Sequence, residues 1–268
     1  RDDVESRGLG DVYKRQLGDG ENYRFACREA TREADAAARA LFDSGADEVI
    51  VWDAHGTGIN LDYDLLDTRC RILLGAGHKG RFVGLDKTWT AVLFIGYHAL
   101  GGTQDAVLAH TFSSKTIQHY KLNGEPAGEL AIDAAYAGAF GVPVLFCASD
   151  DKCIAEAKQT FGPIATVETK RSLSWSSALS RHPTAVCQDI YSIVLQAAKE
   201  GQKVAPYTLP SPLSVEIRYP RTDLACHAAL TDIEGKAFAF ADAFTRTGVV
   251  ESCLLYTSPS PRDSTSSR

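Results

Sequence analysis

The chain contains no methionine, although about five would be ordinary for a globular protein of 268 residues. It begins with Arg1, so we expect its native start to be missing. It also lacks any run of 18 consecutive apolar residues, which excludes a transmembrane helix. The net charge of −6 argues against nucleic acid or an anionic membrane as the main partner, because both attract basic surfaces. The remaining composition, 44% hydrophobic and 23% charged, is typical of a globular protein.

No two cysteines have the CxxC spacing, so a structural zinc ribbon is not expected. The chain has seven cysteines, and several lie in apolar runs such as VLFCAS. A disulfide framework is typical of much smaller secreted proteins. We therefore predict reduced, mostly buried thiols and a cytoplasmic protein.

Both ends of the chain resemble translated sequencing-adaptor DNA. Residues 1–16 read RDDVESRGLGDVYKRQ, and residues 253–268 read CLLYTSPSPRDSTSSR. Segments of this kind are set aside before the fold is considered. We therefore expect the protein itself to occupy residues 17–252; the alternative is a pair of natural flexible tails.

Helical and strand patterns alternate along most of the chain. The sequence predicts helices at 22–44, 128–141, 150–160 and 182–201, and strands at 47–53, 71–75, 91–97 and 143–149. The Asn-Gly pair at 123–124 favours a β-hairpin. This alternation predicts an α/β fold with a mainly parallel central sheet flanked by helices.

The proline-rich stretch APYTLPSP at 205–212 indicates a boundary. We expect an α/β catalytic domain over 17–205 and a smaller, truncated α+β domain over 206–252.

Three histidines lie where α/β enzymes place ligands, just beyond the carboxyl ends of strands. His55 follows the first predicted strand, His98 follows the third, and His110 lies twelve residues later. Asp53 precedes His55 by two residues, and Glu129 opens the helix after the hairpin. Imidazole and carboxylate are the usual ligands of a catalytic zinc ion, and a further histidine can then serve as acid or base. The set therefore predicts a metal centre.

Each of these residues also has a structural alternative. A histidine after a strand can be a hydrogen-bonded structural residue, Glu129 can be favoured by the helix dipole, and Asp53 can cap a turn. A GxGxxG pattern at 75–80 raises dinucleotide binding as another alternative. The stretch after it, RFVGLDKTWT, has no helical periodicity, so it predicts a loop instead.

The order of the motifs resembles the DppA-type zinc-dependent D-aminopeptidase family. The matching pieces run through nearly all of 17–252: the helix at 23–34, WDAHG, IGYHA, AHTF, NGEPAGELAIDAAYAG, GVPVLFCASDD and TKRSLSWSSA. The resemblance implies that His55, His98 and Glu129 ligate zinc and that His110 is the catalytic nucleophile or base. It also implies two zinc ions per subunit, short peptides with N-terminal D-amino acids as substrates, and a cytoplasmic ring of ten subunits.

The sequence departs from the family pattern at several places. The family begins with a strand ending in D-x-E, whose two acids complete the metal site, and residues 17–252 do not contain it. Asp3 and Glu5 imitate the pattern but belong to the adaptor-like segment, so we expect weak or no activity from this chain. Family members usually have Asn in place of Asp133 and Arg in place of Trp175. Two alternative functions stay open: a metal-dependent amidohydrolase of non-peptide amides, and a non-enzymatic oligomeric binding protein of the same fold.

Overall fold

The computed structural model describes residues 21–252 apart from 76, 77, 79 and 201–203, so the adaptor-like ends, with Asp3 and Glu5, lie outside the described residues. The helices are α1 (Glu21–Asp43), α2 (Glu129–Ala139), α3 (Asp151–Phe161), α4 (Pro183–Lys199) and α5 (Thr222–His227). The strands are β1 (Ile50–Trp52), β2 (Arg71–Leu73), β3 (Val92–Tyr97), β4 (His119–Leu122), β5 (Glu125–Pro126), β6 (Val144–Asp150), β7 (Ala165–Ser174), β8 (Ser177–Ser180), β9 (Leu213–Arg218), β10 (Ala239–Asp242) and β11 (Thr245–Val250). A short 3-10 helix spans Tyr63–Leu65.

The central sheet has the strand order β3-β6-β7-β8, in which β3, β6 and β7 are parallel and β8 is antiparallel. Strands β1 and β2 form a separate parallel pair. Every residue of β6 is buried, which explains its nearly continuous apolar sequence. The predicted α/β fold with a mainly parallel sheet is confirmed.

Helices cover both faces of this sheet. On one face, Ala36 and Ala40 of α1 pack with Val186 and Ile190 of α4 against the strand residue Phe146. On the other face, α2 and α3 pack against β3 and β6, and their buried residues include Leu130, Ala134 and Ile154. The alanines of α1 carry little side-chain volume, so the helix lies close to its neighbours. The two helical layers leave the carboxyl ends of the parallel strands as the edge where functional side chains gather.

A second sheet is antiparallel and has the order β10-β11-β9-β4-β5. Its hairpin β4–β5 turns at Asn123 and Gly124, both with positive φ, as the Asn-Gly pair predicted. Because β4 pairs with β9, this sheet draws strands from both sides of the boundary expected at residue 205. The division into two domains there stays a prediction.

Six cysteines lie in the described part of the chain, and all six are free. Fewer of these cysteines are buried than the sequence predicted. Cys147 and Cys153 are buried, whereas Cys226 is exposed. Among the described residues, no helix is both long and apolar enough to span a membrane.

Candidate metal centre

His98 and Glu129 meet where the end of a parallel strand faces the start of a helix. His98 directly follows β3, and Glu129 is the first residue of α2. The His98 Nε2 atom lies 3.2 Å from Glu129 Oε2, and both side chains are buried. The two residues are 31 positions apart in the chain, so only the fold brings them together.

His110 completes this group from the loop between β3 and β4. Its Nδ1 atom lies 2.6 Å from the Leu108 carbonyl oxygen, and its Nε2 atom lies 4.0 Å from Glu129 Oε2. His98 Nδ1 likewise lies 3.2 Å from the Ala99 carbonyl oxygen. Because a carbonyl oxygen only accepts hydrogen bonds, both contacts assign the ring proton to Nδ1. Both Nε2 atoms face the same carboxylate.

Among the described residues, His98, His110 and Glu129 are the group whose ligand atoms could hold a metal ion. One ligand atom from each lies within 4.8 Å of the others, and all three residues are buried. Two neutral imidazoles and a carboxylate match the donor set that zinc prefers. The sequence placed His110 beside the metal as nucleophile or base, whereas the geometry also gives it ligand reach. His55 is not a member of this group.

His55 lies in the loop after β1, and its neighbour Asp53 organises that loop. The Asp53 carboxylate accepts hydrogen bonds from the backbone N–H and side-chain amide of Asn60, from Leu61 N at 3.0 Å and from the Tyr63 hydroxyl at 3.3 Å. Asn60 Nδ2 also donates to the His55 carbonyl oxygen. Burial, followed by the negative charge of Asp53, raises the pKa of Tyr63 to about 12. Asp53 therefore supports the backbone around His55.

Neighbouring polar groups fix the orientation of the Glu129 carboxylate. The Phe112 backbone N–H donates to Glu129 Oε2 at 3.0 Å, and Arg81 Nη2 lies 3.9 Å from Oε1. Arg81 is paired with the fully buried Asp133, to which Nη2 donates at 2.6 Å. The Tyr97 hydroxyl donates to the same Asp133 oxygen at 2.7 Å. Burial is the largest single influence and opposes the charge of Arg81. The charges of Asp133, Tyr97 and Glu129, together with the hydrogen bond to Asp133, outweigh it and raise the Arg81 pKa above its ordinary value.

A glycine allows the close approach that brings the His98 loop next to α2. A Cβ atom at Gly128 would lie 2.7 Å from Glu156 Oε1 and 2.8 Å from Leu100 Cβ. Glu156 accepts a hydrogen bond from Leu100 N at 2.8 Å. Burial raises the pKa of Glu156 to about 7, although the Leu100 hydrogen bond lowers it. Glu156 thus links α3 to the segment that follows His98.

The chain is similar to known proteins both in sequence and in fold. The model of the D-aminopeptidase family Peptidase M55 matches residues 8–241. The chain belongs to this D-aminopeptidase family. The expected membership of a DppA-type family is therefore confirmed.

Two relatives show how far the similarity of this family member extends. The D-aminopeptidase of Bacillus subtilis strain 168 is 32% identical over 190 residues, which make up 70% of this chain and 69% of that protein. The solved structure of the Zn-dependent D-aminopeptidase DppA from Bacillus subtilis, a self-compartmentalizing protease, superposes with a TM-score of 0.82 at 26% identity. That superposition covers 94% of this chain and 89% of the other.

Several residues around the site of this D-aminopeptidase family member carried no clear signal in the sequence. Asn60 lies in an ordinary polar loop, and Arg81 follows a glycine-rich stretch that suggests only a turn. Glu156 lies in the middle of an amphipathic helix, where a charged residue is common and indicates no special role. Asp133 stood out only because the family usually has Asn there. Arg81, Asp133 and Glu156 contact partners more than fifty positions away, so only the fold shows what they contact. Asn60 contacts Asp53 and His55 within its own loop, but no turn signal in the sequence indicates that arrangement.

Proposed function

We propose that this chain is a zinc-dependent aminopeptidase that hydrolyses short peptides with N-terminal D-amino acids. The observation that carries the proposal is the buried group in which His98 Nε2 and His110 Nε2 face one carboxylate oxygen of Glu129. Membership of the D-aminopeptidase family and the similarity to a Zn-dependent D-aminopeptidase support the metal and the substrate class.

His55, His98 and Glu129 hold zinc in this proposal, as the family resemblance implies. When bound there, zinc would polarise a scissile carbonyl and lower the pKa of water towards neutrality. The Phe112 N–H fixes one Glu129 oxygen, which keeps the carboxylate oriented without occupying both its oxygens. Burial of the group at 3–7% exposure for Glu129, His98 and His110 excludes bulk water and strengthens its electrostatic interactions.

His110 serves as nucleophile or base in this proposal. The Leu108 carbonyl oxygen holds the proton on Nδ1, so the Nε2 lone pair is the one that can take a proton from the attacking group. A neutral imidazole is suited to this step near pH 7. As base, His110 would take a proton from the attacking water, whose oxygen bonds to the scissile carbonyl carbon. It would then pass that proton to the amine that leaves when the bond after the first residue breaks.

The experiment separates the two roles that the geometry allows for His110. We would load the full chain and its His98→Gln and His110→Gln variants with zinc and measure bound zinc by mass spectrometry. D-alanine release from D-alanyl-D-alanine is measured relative to the weak activity expected of the full chain. We expect His98→Gln to lose zinc and activity, and His110→Gln to keep zinc and lose activity. His227→Gln, at an exposed histidine on α5, is the matched control.

Three outcomes would overturn parts of this assignment. Loss of zinc in His110→Gln would make His110 a ligand. Hydrolysis of simple amides in preference to the dipeptide would indicate an amidohydrolase of non-peptide substrates. Retention of peptide binding in His110→Gln, without D-alanine release from either that variant or the parent, would favour a non-enzymatic binding protein.

We also propose a cytoplasmic location and assembly into a closed ring of ten subunits. The free thiols of the described cysteines support a reducing compartment, and the similarity to a self-compartmentalizing protease supports the assembly. Light scattering on the purified chain tests the assembly, and a mass of fewer than ten subunits contradicts it.

A further inference from the structure

Leu108 links His110 to a hairpin that contributes no metal ligand. Its carbonyl oxygen accepts from His110 Nδ1 at 2.6 Å, and its N–H donates to the Trp175 carbonyl oxygen at 2.9 Å. Leu108 has a φ of 54°, a left-handed conformation that leucine rarely adopts. Such a conformation persists only where the surrounding contacts impose it.

The preceding residue is fixed by Ser172 of β7. Val107 N donates to Ser172 Oγ at 3.2 Å, and Ser172 Oγ donates to Asp150 Oδ1 at 3.2 Å. Ser172 N in turn donates to Asp151 Oδ1 at 2.7 Å. Asp150 also caps α3, because its side chain accepts from the N–H groups of Lys152 and Cys153. The Ser172 hydroxyl therefore ties Val107 to the junction of the central sheet and α3.

Packing reinforces these hydrogen bonds. Val107 and Leu108 are buried and contact Ala178 of β8. The Trp175 indole N–H also lies 3.4 Å from the Ala109 carbonyl oxygen. The β7–β8 hairpin therefore contacts each of the three residues that precede His110.

We propose that Ser172 is a positioning residue for the reaction, because it holds the Leu108 carbonyl in the place where it fixes the His110 imidazole. The inference rests on the proposed function, in which His110 carries the nucleophilic or proton-transfer step. Without the Ser172 hydroxyl, the Val107 N–H loses its acceptor and the Leu108 peptide can leave its left-handed conformation. The His110 ring then loses the partner that keeps its proton on Nδ1.

The kinetic test compares Ser172→Ala with Ser172→Thr in the full zinc-loaded chain. We expect Ser172→Ala to lower kcat for D-alanyl-D-alanine by about 10- to 100-fold, the range for losing a partner that orients a site residue, with little change in KM or bound zinc. Ser172→Thr keeps the hydroxyl and should recover most of the loss. Ser174→Ala, two residues further along the same strand, is the matched control and should resemble the parent.

A second readout does not depend on activity. Nitrogen-15 spectra of the imidazoles report which ring nitrogen of His110 carries the proton. We expect the Nδ1–H form in the parent and in Ser172→Thr, and a mixture of forms in Ser172→Ala. Leu108→Gly, which adopts positive φ without strain, should keep the Nδ1–H form.

The outcomes separate this inference from the proposed function. If the parent releases no D-alanine but shows the Ser172-dependent change in the His110 spectrum, the proposed function fails and the positioning role stands. If Ser172→Ala keeps the parent's kcat and spectrum, the positioning role is wrong. It is equally wrong if Ser172→Ala loses zinc, or if Ser172→Ala and Ser174→Ala lose activity alike.

Discussion

The imidazole rings of His98 and His110 stack with their centroids 3.7 Å apart and their planes inclined by 21°. His98 follows the end of β3 and His110 lies in the following loop, where His110 N donates to the Ala99 carbonyl oxygen at 3.3 Å. This hydrogen bond brings the loop back beside the strand end. The stack turns both Nε2 atoms to Glu129, so the carboxylate is the common partner of the two rings.

Replacing Glu129 by Gln should remove zinc and activity together. The amide keeps the size of the side chain and can still accept from Phe112 N, but it lacks the negative charge that a dication needs. We expect activity to fall by more than the roughly 10- to 100-fold cost of losing an outer-shell partner. Zinc content and peptide hydrolysis measure this. Glu125→Gln, at an exposed acid on β5, should change neither, and full zinc content in Glu129→Gln contradicts the assignment.

Replacing Arg81 and replacing Asp133 should have non-additive effects on the free energy of unfolding. Arg81→Met leaves Asp133 as a buried charge whose other described hydrogen bond comes from Tyr97, and we expect a loss of about 3–5 kcal/mol. Adding Asp133→Asn removes that charge and should recover part of the loss. Urea unfolding of the two single variants and the double variant measures the coupling. Strict additivity of the two changes would argue that the pair does not interact. Arg221→Met, at an exposed pair with Asp223, should have little effect.

Asp53→Asn should disturb the loop that carries His55. The carboxylate accepts from four donors, whereas an amide offers a single acceptor oxygen and sets its NH2 group against backbone donors. We expect a loss of about 1–3 kcal/mol for a buried donor without a partner, measured by urea unfolding. Bound zinc per chain is measured in parallel and should fall, because the loop positions His55. Asp62→Asn, exposed in the same loop, is the control; equal stability of the two variants would refute the role of Asp53.

Glu33 should make stability depend on pH. Burial raises its pKa to about 7 from an ordinary 4.5, although Lys170 lowers it and Glu29 raises it further. In the unfolded chain this carboxyl loses its proton near pH 4.5, whereas in the folded chain it keeps the proton until about pH 7. Its contribution to stability is therefore fully present below about pH 4.5 and is lost as the pH rises to about 7.

Glu33→Gln should flatten this dependence, because an amide does not titrate. The measurement is the difference in unfolding free energy between parent and variant at pH 5 and pH 8, with Glu125→Gln as the control at an exposed position. A difference that does not change with pH would show that Glu33 is not protonated in the folded chain.

The local elements were accessible from the sequence because short-range chemistry defines them. The Ala-rich helix predicted at 22–44 is α1, and the Asn-Gly pair marks the β4–β5 turn. The strand that precedes His98 and the helix that Glu129 opens were also predicted at nearly their observed bounds. Hydrophobic periodicity and turn residues carry this information within about ten positions.

The pairing of distant strands was not accessible. The hairpin β7–β8 and the strand β11 were not predicted, because TKRSLSWSSA and TRTGVV are polar and give no clear strand pattern. The five-stranded sheet joins residues 119–126 to residues after 212, which no local pattern indicates. Strand stability depends on cross-strand neighbours, and those neighbours are set by the fold.

By itself, the sequence determined the α/β class, the family resemblance, and which side chains could carry metal chemistry, because residue type and local spacing encode them. The tertiary structure decided which candidates meet, because it brings His98, His110 and Glu129 together. The Asp53 carboxylate instead accepts hydrogen bonds from Asn60, Leu61 and Tyr63. It also decided which groups Arg81, Ser172 and Leu108 contact. The physical reason is that ligand reach acts over a few ångströms, whereas Glu129 lies 31 positions after His98 and 19 positions after His110 in the chain.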